Sequence, residues 1–334
     1  MKALQIKGYG DIESNLSFEE IKKPTCSKNQ ILVEIYSAAV NPIDYKIIEG
    51  QLKTLQKLKF PAPIGFDVAG VVVGKGELVS DFNIGDKIYS RVSGNQPGTF
   101  AEFIAIDSEL ASHMPENFSF NEACSLPLVA LTTIQSFEKA QLKANDKILI
   151  HAGSGGVGTF AIQYAKSKGV YVYTTTSTNN VEWVKKLGAD VVIDYKKENY
   201  LEKIKDIDVV YDTLGGKYTH EAFSVIKDGG KVVSLVGDVD KETAIELGLN
   251  PILRFLLSLK RMKITKLIKK KSAYYKLILM KPNGKQLIDL KALIEDEKIK
   301  AIIDKTFLFP EAIKALLYQK TGRAKGKIVI QLKE

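Results

Sequence analysis

One stretch of the sequence, residues 147–170, constrains the fold more than any other. It opens with a short apolar run that is typical of a buried strand, and it continues with apolar residues spaced along one helix face. Between the two stand Gly153, Gly155 and Gly158, at the first, third and sixth positions of a turn. A strand, a turn of this kind and a helix together predict a dinucleotide-binding unit.

Each glycine has an expected role in that turn. Gly153 permits a tight turn, Gly155 lets a pyrophosphate approach the backbone, and Gly158 lets helix and strand pack closely. The unpaired amides at the helix N-terminus would face the phosphates. A purely structural glycine turn is the alternative. The residues of the turn expected to bind a dinucleotide are Gly153, Ser154, Gly155, Gly156, Val157 and Gly158.

The chain around this unit has two different patterns. Up to about Ile106 it consists of short apolar runs divided by turn signals, which predicts a β-rich module. From Asp146 onward strands alternate with helices, which predicts a parallel sheet covered on both faces, with ligands beyond the carboxyl ends of its strands. At 334 residues the length favours two domains. The predicted fold class is therefore α/β, with a β-rich domain and a doubly wound parallel sheet.

Local signals place several further elements. Ser119 and Glu122 form a capping box that begins a helix, and Pro127 interrupts this helix and begins another. A basic, apolar-rich helical segment is expected over residues 250–271, followed by a strand over 274–280. No apolar run approaches the length of a membrane span, and the first residues lack the apolar core of a signal peptide. The expected location is cytoplasmic.

The positive charge of the chain is concentrated in one region. Residues 247–288 contain 11 basic residues and no acidic one, which exceeds the net charge of +9 of the whole chain. Clustered positive charge is what phosphate binding requires, so nucleic acid is one possible partner. A basic amphipathic segment over 252–271 is also typical of contact with anionic lipid. Burial of its apolar side against a substrate cleft or a second subunit is the alternative.

Several motifs give the chain a resemblance to a known family. The sequence resembles the medium-chain dehydrogenase/reductase superfamily and, within it, the zinc-free quinone oxidoreductase branch that includes zeta-crystallin. The motifs lie at residues 41–45, 65–70, 98–103, 152–166, 187–190, 194–195 and 322–327. The resemblance implies a GroES-like catalytic domain (1–120 and 283–334) and a Rossmann NADPH-binding domain (121–282). It also implies a homodimer, for which the strand at 274–280 is the candidate edge.

The residues at the metal positions of zinc-dependent relatives differ here. Those relatives have a Cys ligand where this chain has Asn41, and a His-Glu pair where it has Phe66 and Asp67. Zinc prefers thiolate and imidazole ligands. With only Cys26 and Cys124, the chain also has too few cysteines for a structural zinc site built from them. We expect no zinc, and we interpret the three histidines, His113, His151 and His220, as ordinary core or surface residues.

The expected cofactor is NADPH rather than NADH. NAD enzymes have an acidic residue at the end of the second Rossmann strand. Here residues 174–180 contain hydroxyls and amides but no carboxylate, although threonines also suit a strand end for structural reasons. By resemblance, Ser177, Asn180 and Tyr195 line the 2′-phosphate and adenine, with Arg323 nearby. Where this chain has Asn180, the family often has a lysine, which would hold the phosphate more strongly.

At the nicotinamide end, the resemblance places Thr132, Val236 and Gly237 beside the cofactor. Asn41 could bind the nicotinamide ribose or a substrate carbonyl. Tyr45 could stack on a quinone or donate a proton, or it could be a pocket wall without a chemical role. Asp44 is expected to order its own loop rather than act as a base.

The implied activity is NADPH-dependent hydride transfer, without zinc, to a quinone or an α,β-unsaturated carbonyl. The alternative is an NADPH-binding protein with little turnover, such as a redox sensor or a nucleic-acid-binding protein of the zeta-crystallin type.

Overall fold

The computed structural model describes residues 1–53 and 58–334. These residues form two compact units. Unit 1 comprises Met1–Leu131 and Lys281–Glu334, and unit 2 comprises Thr132–Met280. The first unit is thus assembled from both ends of the chain. The predicted domain boundaries at 120/121 and 282/283 stay a prediction.

The strands and helices of the described residues have the following bounds. The strands are β1 (Lys2–Ile6), β2 (Leu16–Glu20), β3 (Gln30–Val40), β4 (Ala62–Pro63), β5 (Asp67–Lys75), β6 (Lys87–Arg91), β7 (Phe103–Asp107), β8 (Ala111–His113), β9 (Lys147–Ile150), β10 (Tyr171–Thr176), β11 (Val191–Asp194), β12 (Ile207–Asp212), β13 (Ile226–Ser234), β14 (Tyr274–Leu277), β15 (Ile303–Leu308) and β16 (Lys327–Gln331). The helices are α1 (Ile12–Asn15), α2 (Pro42–Ile48), α3 (Phe120–Ser125), α4 (Pro127–Lys139), α5 (Gly156–Ser167), α6 (Val181–Lys186), α7 (Tyr200–Lys203), α8 (Lys217–Val225), α9 (Lys241–Glu246), α10 (Pro251–Lys260), α11 (Met262–Lys271), α12 (Gly284–Glu295) and α13 (Ala312–Lys320).

Unit 1 is organised around the long strand β3, which pairs antiparallel with β5, β7 and β16. Its early residues Ile31, Val33 and Ile35 belong to one apolar core, whereas Ala38 and Val40 belong to another. The change from odd to even positions coincides with a register shift in the β3–β5 pairing between residues 35 and 37. An irregularity of this kind turns alternate side chains to the other face, so one strand supplies two cores.

Unit 2 contains a six-stranded sheet in the order β11-β10-β9-β12-β13-β14, and every neighbouring pair is parallel. One apolar core includes Ile148 and Ile150 of β9, and another includes Leu149 between them. The sheet is therefore buried on both faces, as the fold-class prediction requires. The strand order reverses direction between β9 and β12, which is where ligands bind in folds of this type.

The basic segment differs from its prediction as one helical stretch. It forms two helices, α10 and α11, which are separated at Arg261. Helix α11 buries Ile264 in a core of unit 2, whereas α10 has no buried residue. The separation lets α11 turn its apolar side to the core. The strand predicted at 274–280 ends at Leu277 and lies at the edge of the sheet.

Among residues 1–53 and 58–334, no helix is both long enough and apolar enough to span a bilayer.

Candidate functional site

The glycine-rich turn of unit 2 connects β9 to the N-terminus of α5. Gly155 is the N-cap residue of α5, and no side chain caps the helix. The carbonyl of Ala152 accepts a hydrogen bond from the Gly155 N–H at 2.9 Å, which closes the turn. The first amides of a helix have no partner within the helix itself. The N-terminus of α5 can therefore bind an anion such as a pyrophosphate.

This geometry confirms the close-packing role of Gly158 and gives Gly153 a different role, whereas the role of Gly155 toward a pyrophosphate stays a prediction. A Cβ on Gly158 would clash with the carbonyl oxygen of Ala152 and lie 2.7 Å from the Cα of Gly153, so this glycine does allow close packing. A Cβ on Gly155 would lie 3.4 Å from the Ala152 oxygen, in ordinary contact, so the space beside it is open. The left-handed residue of the turn, however, is Ala152, with φ 53°. Gly153 is needed instead because a side chain there would collide with Thr174 of β10.

Substitutions can distinguish the binding role of Gly155 from the packing role of Gly158. Gly155→Ala is expected to keep its stability within about 1 kcal/mol, because alanine accepts φ −82°, but to weaken NADPH binding at least about tenfold. Gly158→Ala is expected to lose about 1–3 kcal/mol, because its Cβ meets backbone atoms. Thermal denaturation and a fluorescence titration with NADPH measure both effects. Gly94→Ala, which meets no atom within 4 Å, is the control. Unchanged NADPH affinity in Gly155→Ala would contradict the role of this residue.

Two of the residues expected at the 2′-phosphate, Ser177 and Asn180, lie together beyond β10. The side-chain amide of Asn180 donates hydrogen bonds to the hydroxyls of Ser154 at 3.2 Å and Ser177 at 3.0 Å. Its carbonyl oxygen accepts one from the indole N–H of Trp183 at 3.1 Å. Trp183 thereby fixes the orientation of the amide, because the indole can only donate. Sequence reasoning missed this tryptophan, although its position three residues after Asn180 was visible.

Two further side chains lie at this corner. Tyr195 is exposed, and its N–H donates to the carbonyl of Thr176 at 3.1 Å. Asp194, at the end of β11, pairs in register with Thr176. Burial raises the pKa of this carboxyl, but hydrogen bonds from the Thr178 side chain and the Lys196 N–H outweigh it and leave the pKa below its usual value. Asp194 is therefore ionised near the second strand, and we had not assigned it to the site.

The carboxyl ends of β12 and β13 are fixed by a buried aspartate. Asp212 is fully buried and accepts hydrogen bonds from Thr219 at 2.5 Å, Ser234 at 2.8 Å and the Gly215 N–H at 2.8 Å. His151 also approaches it, at 3.7 Å from Nδ1. Burial raises the pKa of Asp212, but the neighbouring His151 and the hydrogen bonds from Thr219, Gly215 and Ser234 hold it at about 2. Through these hydrogen bonds, the Asp212 carboxylate fixes the loops that follow β12 and β13 relative to each other. No sequence pattern predicted this role of Asp212.

The residues expected at the nicotinamide lie in unit 2 as well. Val236 is partly exposed, and its N–H donates to the hydroxyl of Ser234 at 3.3 Å. A Cβ on Gly237 would lie 2.7 Å from that hydroxyl, so only glycine fits at this bend. Thr132 is buried on α4. The roles of these residues toward a cofactor stay predictions.

In unit 1, Asn41 is the centre of a buried polar network. Its side-chain amide donates to Asp67 at 2.9 Å, its carbonyl oxygen accepts from Lys327 Nζ, and its backbone N–H donates to Asp44 at 2.6 Å. Lys327 Nζ also lies 3.6 Å from Asp67, whose second oxygen accepts from the Leu128 N–H at 3.0 Å. Asn41, Asp67 and Lys327 are all at least nine-tenths buried. The amide of Asn41 is thus used within the protein, and its proposed contact with cofactor or substrate stays a prediction.

This network does not fit a zinc ion. Asn41 and Asp67 occupy positions that carry metal ligands in zinc-dependent relatives, but Lys327 places an ammonium group against both. A positive charge at that point opposes a second cation, and neither thiolate nor imidazole is present. Among the described residues, no group of three or more His, Cys, Asp or Glu side chains could hold a metal ion. The cation at this position is Lys327, which the sequence analysis placed only in the motif at residues 322–327.

Asp44 does order its own loop, as we expected, because it accepts the hydrogen bond from the Asn41 N–H. It is also fully buried, and this burial raises its pKa to about 7, although the Asn41 N–H lowers it. The pKa in the folded state is therefore higher than the ordinary value of 3.8. The folded protein binds the proton more tightly, so the contribution of Asp44 to stability falls as the pH rises from about 4 to about 7.

Asp44→Asn tests this pH dependence. Asparagine retains an acceptor for the Asn41 N–H but does not ionise. The free energy of unfolding of the variant, relative to the original protein, is expected to rise steadily between pH 4.5 and pH 7.5. Urea denaturation across this range measures it. Asp81→Asn, at an exposed position of unit 1, should give a difference that does not change with pH. A flat profile for Asp44→Asn would show that Asp44 is ionised throughout.

The remaining site residues of unit 1 are more accessible. Tyr45 lies on α2, half-buried against an apolar core. Within residues 1–53 and 58–334, no hydrogen bond to its hydroxyl is found. Arg323 is exposed in the connection between α13 and β16. The role of Tyr45 toward a substrate and that of Arg323 toward the 2′-phosphate stay predictions.

Comparisons with known proteins agree with this architecture. Residues 27–116 match the family described as "Alcohol dehydrogenase GroES-like domain", and residues 187–330 match the family described as "Zinc-binding dehydrogenase". The chain is 35% identical to 2-methylene-furan-3-one reductase of Solanum lycopersicum, over 99% of this chain and 79% of that protein. It is also 35% identical, with the same coverage, to the chloroplastic NADPH-dependent alkenal/one oxidoreductase of Arabidopsis thaliana.

The structural similarity extends over the whole chain. The quinone oxidoreductase from Coxiella burnetii superposes with a TM-score of 0.86 at 32% identity, covering 100% of this chain and 99% of that one. A likeness at this identity and coverage includes both units. The chain belongs to the medium-chain dehydrogenase/reductase superfamily and, within it, to the zinc-free quinone oxidoreductase branch.

Proposed function

We propose that the protein is an NADPH-dependent reductase of conjugated carbonyl compounds, that is, α,β-unsaturated ketones or aldehydes and quinones. The observation that carries the proposal is the anion site at the N-terminus of α5, with Ser154, Ser177 and Asn180 gathered beside it. The names of three similar proteins indicate the class of substrate. One is a reductase of a methylene-furanone, one is an alkenal/one oxidoreductase, and the Coxiella protein is a quinone oxidoreductase.

The corner beyond β10 favours NADPH over NADH. The Ser177 hydroxyl accepts from the Asn180 amide and can still donate its own hydrogen to a 2′-phosphate. Thr176 ends the strand where NAD enzymes have a carboxylate. The carboxylate of Asp194 is already bonded to Thr178 and the Lys196 N–H, and Lys197 Nζ lies 3.9 Å from it. Its charge is thus partly offset within the protein.

When bound, NADPH would supply a hydride to the electrophilic carbon of the acceptor. The α5 amides would hold its pyrophosphate and the β10 corner its ribose phosphate, which would fix the reactants in one orientation. An enone takes up the hydride at its β-carbon and a proton at its α-carbon, and becomes a saturated carbonyl compound. A quinone takes up the hydride and a proton and becomes a hydroquinone.

We propose Tyr45 as the proton donor for enones, because its hydroxyl has no partner among the described residues. Tyr45→Phe is expected to lower kcat for an enone at least about tenfold. It should change kcat for a quinone little, because a hydroquinone oxygen can take its proton from water. Steady-state rates with an enone and with a quinone measure the two changes in kcat. An equal loss for both acceptors would make Tyr45 a wall of the pocket.

Product analysis with NADPH deuterated at C4 tests the function itself. We expect one deuterium at the β-carbon of the reduced enone, and the α-hydrogen should come from the solvent. Reduction of the carbonyl to an alcohol, with deuterium at the carbonyl carbon, would contradict the proposal. A cytoplasmic location, and a homodimer formed through the edge strand β14, are part of the same proposal.

A further inference from the structure

Helix α10 exposes an apolar face that no residue of the described chain covers. None of its ten residues is buried, and Ile252 and Phe255 expose 74% and 61% of their surface. The exposed apolar residues recur at intervals of three and four, so they share one side of the helix. They are Ile252, Leu253, Phe255, Leu256 and Leu259, and Met262 continues them into α11. Apolar surface of this extent on a water-facing helix is typical of an interaction site.

The other side of α10 is the one that faces its own unit. Arg254, Leu257 and Arg261 are less exposed, and they line a cavity of about 320 Å³ together with Val239 and Phe255. The guanidinium of Arg261 donates to the carbonyl of Val239 at 3.1 Å and attaches the end of α10 to the loop after β13. Phe255 thus borders both this cavity and the exposed face, and Arg261 anchors the C-terminal end of the helix.

Unpaired positive charge lies next to this apolar face. In helix α11, Lys263, Lys266, Lys269 and Lys270 are exposed. None of the four takes part in an ion pair among residues 1–53 and 58–334. By contrast, Lys271 is 3.4 Å from Asp228, and Lys276 contacts three acidic residues. The free charge of the segment is therefore concentrated on the outer side of α11.

We propose that α10 and α11 form a docking surface for an anionic lipid bilayer. A helix that inserts apolar side chains at the level of the headgroups, with lysines beside it, binds by apolar burial and by attraction to anionic lipid. The lysines of α11 supply the attraction, and the apolar face of α10 supplies the burial. The surface binds the membrane without spanning it, in agreement with the lack of a spanning helix among the described residues.

A second copy of the chain fits this surface less well. Residues 251–271 contain no acidic residue, so two copies joined through α10 and α11 would place like charges opposite one another. Like charges across an interface oppose association. A lipid surface carries the complementary charge and an apolar layer behind it.

Co-sedimentation with vesicles tests the proposal, and it needs no turnover. The whole protein is mixed with vesicles of phosphatidylglycerol and phosphatidylcholine in equal parts, and with vesicles of phosphatidylcholine alone. We expect binding only to the anionic vesicles, and release at about 0.5 M salt, where surface charges are screened. Lys263→Gln with Lys266→Gln should weaken binding roughly 30-fold. Phe255→Ser with Leu256→Ser should weaken it at least about tenfold.

Matched controls separate these effects from general changes of charge and hydrophobicity. Lys185→Gln with Lys186→Gln removes the same charge from the exposed end of α6, and Leu78→Ser with Ile84→Ser removes exposed apolar side chains from unit 1. Both control pairs should bind like the original protein. Binding that is absent, or that the control pairs weaken equally, would overturn the proposal. So would a change from dimer to monomer in Phe255→Ser with Leu256→Ser without any vesicle binding, because the face would then be a protein interface.

Discussion

Ser177→Asp is expected to convert the coenzyme preference. Ser177 stands immediately after β10, and its hydroxyl is held by the amide of Asn180 at 3.0 Å. A carboxylate there would repel the 2′-phosphate of NADPH, whereas it could accept hydrogen bonds from the ribose hydroxyls of NADH. We expect KM for NADPH to rise roughly 100-fold and KM for NADH to stay within about threefold of its original value. Steady-state kinetics with both coenzymes measure the change.

Asn179→Asp is the control for this change. Asn179 is exposed in the same loop, so the variant adds the same charge without placing it at the strand end. It should raise KM for NADPH far less than Ser177→Asp does. Equal effects in the two variants would mean that the charge acts at a distance and that Ser177 does not contact the phosphate.

Lys327→Met is expected to cost about 3–5 kcal/mol of stability, the range for removing one partner from a buried ion pair. Lys327 donates to Asn41 and lies 3.6 Å from Asp67, which is fully buried. Methionine fills a similar volume but removes the ammonium group, which lowers the pKa of Asp67 more than the other buried cation, Arg91, does. Urea denaturation followed by circular dichroism measures the loss.

Two companion variants make this result specific. Lys325→Met, at an exposed position two residues earlier, should change stability by no more than about 0.5 kcal/mol. Lys327→Met combined with Asp67→Asn should recover at least half of the loss, because the carboxylate that lost its ammonium partner is then absent. If Lys327→Met were as stable as Lys325→Met, the ammonium group would not balance Asp67.

The sequence was sufficient to predict the elements that follow simple periodic patterns. The strand, turn and helix of residues 147–170 appear as β9 and α5, and the alternation that follows appears as a parallel sheet. Ser119 and Glu122 cap α3, and Pro127 begins α4. These features depend on local sterics and on the period of apolar residues, which one sequence displays directly.

The contacts that organise the sites could not be predicted in this way. Lys327 reaches Asn41 across 286 residues, and Asp212 receives hydrogen bonds from residues on two other elements. Gly153 is required by Thr174 on the neighbouring strand rather than by its own backbone angles. Each of these depends on which strands become neighbours, and that is a property of the tertiary fold.

The proposed reaction is hydride transfer from NADPH to a conjugated carbonyl compound without a metal ion. Its most direct test is the rate of NADPH oxidation at 340 nm with an enone and with a quinone. The rate is measured after dialysis against a chelator, and again after zinc is added. We predict turnover that the chelator leaves unchanged and that zinc does not increase. Turnover that is lost on chelation and restored by zinc would contradict the claim.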